Sequence, residues 1–454
     1  MTRRTAGLWL LLFALYASTL GLDAFDRSDY AGDEPHYLLA AGSLVEDASI
    51  DVKDELADRS YAGFYPYDLR PQGQETEGRR HEPHGVGLAL LIAPAYAIAG
   101  ETGVEIFLAA LAALAMALAY RLALRVAPDP WALGATLAVG GSAPFLAYGT
   151  AVYPELPAAA ALAGAALLAL RLEEHVSRRA AFGCFVALGA VPWLGVKFLP
   201  AAVVIGVFGA RSLFRARRRT LGVGSVELAL FSLALCVGLS EGLFGGATPY
   251  SAEIGPATGA DTPLEHAERA YRLVALFVDR DAGLLRWAPV LALMFAGCWF
   301  LYRSRREHLA RAVPELRAME RAGTMCAAAA GAQLLVAVFL APELSGPWFP
   351  GRHLIAGLVL AVPLAALGLR HLPRAGVALA VVSTVASVWL WLDVRLGDGG
   401  LAEGRPDAPF GPLTALLPRF GGDSPGPYVL AGAIALALAG LVAYESRRAE
   451  ALHT

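Results

Sequence analysis

The sequence is short of charge and almost empty of lysine. Of its 454 residues only 17% are Asp, Glu, Lys or Arg while 56% are hydrophobic, and the mean hydropathy is +0.51. That balance lies outside the usual range for a water-soluble domain, so a sizeable soluble domain is excluded. Lys53 and Lys197 are the only lysines, arginine supplies the other permanent positive charges, and alanine and leucine fill the apolar runs, a bias typical of a high-GC bacterial genome. The four cysteines, Cys184, Cys236, Cys298 and Cys326, fall in apolar stretches without metal-ligand spacing, which indicates neither a disulfide framework nor a zinc site. No internal repeat is visible, so the architecture of inverted-repeat transporters gets no support. The net charge of -3 hides short charged clusters between apolar runs, and nothing points to a nucleic-acid partner.

What is abundant is apolar sequence of spanning length. About 20 apolar residues cross a bilayer as a helix. Windows near 7–22, 101–123, 131–149, 156–171, 180–196, 198–213, 223–245, 284–302, 322–341, 354–370, 374–392 and 427–444 come near that need. The expectation is an all-α polytopic membrane protein, one domain over 1–454, with about 12 transmembrane helices. Arg3 and Arg4 before the apolar run from Gly7 to Leu22 also suit a signal peptide, but no convincing small-x-small cleavage site follows, so a retained first helix is expected.

Segment 86–100 is apolar but short, and carries Pro94 in its middle. Reading it as a dip from outside, not a span, sorts the arginines by the positive-inside rule. Arg3, Arg4, Arg121, Arg125, the 171–179, 211–219 and 303–321 groups, Arg370, Arg374, Arg447 and Arg448 then all become cytoplasmic, as do both termini. The extracytoplasmic side receives a first loop over 23–100, then 150–155, the turn at Lys197, 246–283, 342–353 and 393–426, with most of the acidic residues and histidines. In the first loop Tyr37, Leu38, Ala41, Leu44 and Val45 recur at helical spacing and predict an amphipathic helix within 34–56, lying along the membrane surface. An irregular stretch follows over 61–80, and the Gly- and Pro-bearing stretch 393–426 suits a lid or a linker.

Several constellations on that side can carry chemistry. In Gly32-Asp33-Glu34-Pro35-His36-Tyr37-Leu38, two adjacent carboxylates can supply a general base and its support, or bind a cation. They equally suit a helix start, with Asp33 as N-cap, Glu34 on the dipole and Pro35 in the first turn. In Arg79-Arg80-His81-Glu82-Pro83-His84-Gly85 the donors and ligands suit a phosphate or a metal ion, the plainer reading being an interface-anchoring loop. Glu155 in Tyr-Pro-Glu-Leu-Pro, Lys197 in WLGVKFLP, and Arg352-His353 closing GPWFPGRH are scattered in sequence but share this face. A lysine between spans faces a polar cavity or snorkels to the interface. Arg352 precedes a span on the side where arginine is disfavoured, which makes it a better candidate for binding phosphate. Asp279, Arg280, Asp281 and Arg286 lie there too, as functional groups or as a salt-bridged turn, and Glu241 sits within or near the end of a span.

This order of elements resembles the GT-C superfamily of polyprenyl-phosphate-sugar-dependent glycosyltransferases. The likeness is to the bacterial branch related to protein O-mannosyltransferases and lipid A aminoarabinose transferases. It runs through the first span, the Asp-Glu loop, a polar Pro-x-Gly element before a proline-containing dip, Tyr-Pro-Glu-Leu-Pro, the lysine of WLGVKFLP and the arginine of GPWFPGRHLIAG. It covers nearly the whole chain, with Asp-Glu its most specific piece. The resemblance implies that a sugar on a polyprenyl phosphate is moved, with inversion, to a hydroxyl of a glycan, lipid or protein on the extracytoplasmic face of a bacterial inner membrane. Asp33 would be the general base, Glu34 its support, and Glu155 a contact for acceptor or metal. Lys197 and Arg352 would hold the donor phosphate. His353 and Arg286 are candidates beside those cations, and His81, Glu82 and His84 are candidates for acceptor or metal contact. His81-Glu82-Pro83-His84 stands where related enzymes carry a Lys-Pro-Pro-type string. That leaves acceptor identity open, and with it a divalent cation, Mg or Mn, for which Asp33, Glu82 and His84 are the candidate ligands.

The physics agrees without the family. A lipid phosphate is an activated leaving group confined to the bilayer, so an enzyme using it needs membrane grooves, basic residues at headgroup depth and a base above them. The short arginine-rich loops, by contrast, lack the glycine-rich phosphate loop or Asp-x-Asp string that a nucleotide sugar would need. A transporter or lipid-linked sugar flippase would place charges near the midplane and break helices in both halves. An oligosaccharide ligase or polymerase would differ in donor, and in a non-catalytic envelope scaffold the carboxylates would be dispensable.

Overall fold

A helix that is apolar on every side has to be surrounded by protein or lipid. In the computed structural model the Ile355–His371 helix is surrounded by protein, every residue from Ile355 to Leu369 being buried. The helices Ala292–Arg306, Leu316–Phe339, Trp131–Gly140, Val86–Ala123 and Glu155–Glu174 pack round it. The structure describes all residues except 1, 77, 255–259, 261, 308–312, 314–315, 398, 403–408, 421–423 and 452–454.

Among the described residues 7 helices are long and apolar enough to cross a membrane: Val86–Ala123, Glu155–Glu174, Val196–Arg215, Arg219–Ala252, Leu316–Phe339, Arg352–His371 and Pro373–Arg395. The fold is thus an all-α polytopic membrane bundle, while the expected number of about 12 spans is not reached by length and apolarity alone. Some expected spans form shorter helices: Arg3–Ala17 has 15 residues, Arg178–Leu194 has 17, and Ala292–Arg306 has 15. The window 131–149 divides into Trp131–Gly140 and Ala143–Tyr148, parted at Gly141-Ser142 just before Pro144.

Segment 86–100 is a separate arm. The helical path breaks at Ala99 and at Gly100, whose φ is 58°. A Cβ on Gly103 would lie 2.4 Å from the carbonyl oxygen of Ala95. Eight residues along a straight helix would part these positions by about 12 Å, so the chain doubles back at the break, and the arm over 86–98 is only about 20 Å long.

The predicted surface helix within 34–56 is corrected in two respects. The helix runs only from Glu34 to Glu46, with a second short one at Lys53–Ala57, and it is sunk into the protein and not laid on a surface. Glu34, His36 and Ser43 are buried as well as Tyr37, Leu38 and Ala41, because its polar side meets polar groups of the first loop and of the segment before Glu155. Stretch 61–80 is mostly irregular, but Glu75–Thr76 pairs antiparallel with Arg79–Arg80. Residues 279–281 serve as an anchor for the 393–426 stretch. Asp279 Oδ2 accepts from the Phe420 amide at 2.7 Å, Arg280 Nε donates to the Thr414 carbonyl at 3.3 Å, and Arg419 Nε meets Asp281 Oδ2 at 2.6 Å.

Candidate active site

Several helix starts converge at one end of the bundle. Asp33 precedes the Glu34–Glu46 helix, Glu155 opens Glu155–Glu174, Lys197 sits in the 3-10 turn Val196–Phe198, and Arg352 opens the turn leading into the buried axial helix. Their side chains form one row. Arg352 Nη2 lies 2.7 Å from Asp33 Oδ2, Arg352 Nε lies 3.2 Å from Glu155 Oε1, and Lys197 Nζ lies 2.6 Å from the same oxygen. Ions as deep as Glu155 and Arg352, 1% and 4% exposed, persist only when paired. The Arg352 guanidinium also lies over the rings of Tyr153, at 4.0 Å, and Trp348, at 5.0 Å. Asp33 is the most open member, with 21% of its side chain exposed. Burial would raise its carboxyl, but Arg352, with His84 and His36 nearby, overrides this and holds it well below the usual carboxylate range.

Two neighbours set the position of Asp33. Gly32 has a φ of +60°, and a Cβ there would stand 2.8 Å from the Tyr153 hydroxyl and 3.2 Å from the Pro347 carbonyl. Gly32→Ala is therefore expected to cost about 1–3 kcal/mol, read as a lower melting temperature in detergent. Glu34 turns away from the row. Its Oε2 accepts from the Val152 amide at 2.8 Å and its Oε1 from the Ala31 amide at 3.3 Å, so it ties the first loop to the segment before Glu155. Burial outweighs those donors and, with the like charge of Glu105, pushes the Glu34 carboxyl up to about 8. A raised carboxyl contributes stability that is fully present below its unfolded value and is lost as pH rises through about 8. The melting temperature should fall between about pH 4.5 and about pH 8, and Glu34→Gln should flatten that slope. Equal slopes in the two proteins would remove Glu34 as the cause.

A second polar group adjoins the row. Gln72 Nε2 donates to Asp33 Oδ1 at 3.3 Å, and its backbone amide donates to Glu82 Oε2 at 3.0 Å. The same Glu82 oxygen lies 3.3 Å from His36 Nδ1, and His84 stacks on Tyr37 with centroids 4.6 Å apart. Burial lowers the His84 imidazole to about 4, against the pull of Asp33, so it is neutral at physiological pH. Among the described residues no three His, Cys, Asp or Glu side chains are grouped so as to hold a metal ion. Of the expected ligand set Asp33, Glu82 and His84, Asp33 Oδ2 meets Arg352 and Glu82 Oε2 meets His36 and the Gln72 amide, while Glu82 Oε1 and His84 Nε2 have no hydrogen-bond partner among the described residues.

Other candidates lie apart from the row. His81 packs edge-on to Phe244 at 5.9 Å. Arg286 donates to the Arg280 carbonyl at 2.7 Å and covers the Trp287 ring, which makes it part of the 279–281 anchor. His353 is closer to the row, edge-on to Trp348 at 5.9 Å, with Gln333 donating to its carbonyl at 3.1 Å. Sequence reasoning missed Tyr153, Trp348 and Gln72. The first two stand inside the strings that had marked Glu155 and Arg352, where an aromatic near a buried arginine is the usable signal. It also missed Glu105, a carboxylate inside an expected span that accepts from the Tyr30 hydroxyl at 3.0 Å.

The fold, a polytopic helical bundle, is shared with solved membrane-enzyme structures. The crystal structure of apo ArnT from Cupriavidus metallidurans is similar to it at a TM-score of 0.51 and 15% identity, covering 87% of this chain and 72% of that one. ArnT is a lipid A aminoarabinose transferase. Its structure bound to undecaprenyl phosphate is similar at a TM-score of 0.50 and 14% identity, with the same coverage. AglB from Archaeoglobus fulgidus, an oligosaccharyltransferase in complex with an inhibitory peptide and a dolichol-phosphate, has a TM-score of 0.45 at 14% identity over 89% of this chain and 56% of its own. No family model matches the sequence, and no curated protein does.

Proposed function

We propose that the chain is a membrane glycosyltransferase that moves a sugar from a polyprenyl-phosphate carrier to a hydroxyl acceptor, inverting, on the extracytoplasmic face of a bacterial inner membrane. The observation that carries this reading is the row Asp33–Arg352–Glu155–Lys197, two cations balanced by two carboxylates at one end of the bundle, with Asp33 open to a ligand. The undecaprenyl phosphate in the ArnT structure supports a lipid phosphate as donor, and the sorting of the arginines supports cytoplasmic termini.

A phosphate monoester or diester competes with carboxylates for arginine and lysine. Lys197 and Arg352, with His353 beside them, take the donor phosphate and stabilise the charge that grows on it. As Arg352 turns to the phosphate, Asp33 loses the partner that kept its proton affinity low, so donor binding itself makes Asp33 the stronger base. The acceptor oxygen attacks the anomeric carbon opposite the phosphate and its proton passes to Asp33. The bond between anomeric carbon and phosphate oxygen breaks, and its electron pair leaves with the polyprenyl phosphate. Glu82 Oε1 and His84 Nε2, buried without hydrogen-bond partners among the described residues, are the groups available to acceptor hydroxyls. No group of three His, Cys, Asp or Glu side chains stands ready for a divalent cation among the described residues, and no step is assigned to one.

The test is the full chain in vesicles with a labelled polyprenyl-phosphate sugar and membrane extract as acceptor. Label transferred in step with free polyprenyl phosphate is expected. Movement of intact lipid-linked sugar between leaflets, without bond cleavage, would overturn the reading in favour of a flippase.

A further inference from the structure

The other end of the bundle holds a second charged cleft that the proposed reaction does not use. On the Glu155–Glu174 helix, Glu155 belongs to the row above and Glu173 to this cleft; the rise between them is about 27 Å, close to the thickness of a hydrocarbon core. The cleft has a volume of about 390 Å³ and draws five arginines from the Leu199–Arg215, Ala292–Arg306 and Leu316–Phe339 helices: Arg211, Arg215, Arg305, Arg317 and Arg321. Arg211 and Arg215 are four apart, as are Arg317 and Arg321, and the helices carrying the two pairs pack on each other. Like charges at that spacing repel within each helix, and the two pairs repel across the contact.

Among the described residues two carboxylates face these five cations. Glu173 pairs with Arg321, and Glu320 Oε1 is occupied by the Ser304 hydroxyl at 2.7 Å. Arg305 donates to the Thr324 hydroxyl at 2.8 Å. Among the described residues Arg211 and Arg215 have neither an ion pair nor a side-chain hydrogen bond. The cleft therefore carries an uncompensated positive charge. Its surroundings indicate which anion answers it. Val203 and Val207, 61% and 58% exposed, lie on the same helical stripe as Arg211 at four-residue steps, and Phe208 lines the cleft itself. An acyl chain along that stripe places its phosphate at Arg211 and Arg215, the geometry of a lipid with an anionic headgroup.

We propose that this cleft binds the phosphate of an anionic phospholipid from the leaflet opposite the Asp33 row. The test uses the full chain in neutral-lipid discs with phosphatidylglycerol as probe, its binding measured by native mass spectrometry and by melting temperature. Arg211→Gln with Arg215→Gln should weaken binding about thirtyfold, about fivefold for each charge. Arg178→Gln with Arg179→Gln, exposed arginines at the same end, should leave it nearly unchanged. Equal affinity in all three proteins would overturn the proposal. If the cleft variant does not fold, the wild type decides. A melting temperature raised by phosphatidylglycerol and not by inorganic phosphate supports a lipid ligand, and a rise of the same size with inorganic phosphate overturns it in favour of a soluble anion.

Discussion

Asparagine at position 33 should lower sugar transfer by about 10²- to 10⁴-fold, the contribution of a positioned general base. The side chain keeps its shape and can still accept from Arg352 through its oxygen, while Glu155 remains beside Arg352 at 3.2 Å, so folding should survive. What is lost is the group that takes the acceptor proton. The loss should therefore fall on kcat, with KM for the donor unchanged or improved, because the phosphate no longer displaces a carboxylate from Arg352. In the wild type, kcat/KM, which reports the free enzyme, should show no loss through protonation of Asp33 until pH falls below the ordinary carboxylate range, since Arg352 depresses the folded value. The same sign governs stability: the Asp33 contribution is present above 3.8 and is lost as pH falls below it. Full transfer by Asp33→Asn would remove Asp33 as the base.

The features legible in the sequence were those set by solvent. Charge has to leave the hydrocarbon, so the apolar runs and the arginine asymmetry could be read directly, and Asp33, Glu155, Lys197 and Arg352 were placed on one face before any contact was known. Their pairing could not be read, because Lys197 and Glu155 stand 42 residues apart and Arg352 and Glu155 stand 197 apart. Hydropathy is equally silent about where an apolar run breaks, which is why neither the division at Gly141-Ser142 nor the break at Gly100 is legible there, and only arginine placement points to a dip over 86–100. The periodicity of 34–46 marked one apolar face correctly. It misplaced the helix because the opposite face, with Glu34 and His36, is buried against polar partners and not water. Arg286 shows the converse limit: an arginine anchoring a loop and an arginine binding phosphate have the same local sequence, and its contact with the Arg280 carbonyl is visible only in the fold.

Arg352→Ala should be the most damaging single change to stability, costing about 3–5 kcal/mol, because it leaves buried carboxylates short of a counter-ion. Glu155 would keep Lys197 at 2.6 Å, but Asp33 would be left with only the Gln72 amide at 3.3 Å among the described residues. The Tyr153 ring would also lose the guanidinium 4.0 Å above it, worth about 0.5–2 kcal/mol more. Two companion variants separate charge from bulk. Adding Asp33→Asn to Arg352→Ala removes the stranded charge and should recover part of the stability without recovering transfer, a non-additivity that a double-mutant cycle in detergent would read directly. Arg352→Lys keeps the charge but cannot reach Asp33 and Glu155 through two nitrogens of one planar group, so it should restore stability only in part and bind the donor less tightly. An unchanged melting temperature in Arg352→Ala would mean that the row is hydrated and that its members do not depend on one another. Partial rescue by Asp33→Asn would instead fix Arg352 as the link through which donor phosphate and general base sense each other, since the charge that must be released to bind the one is the charge that restrains the other.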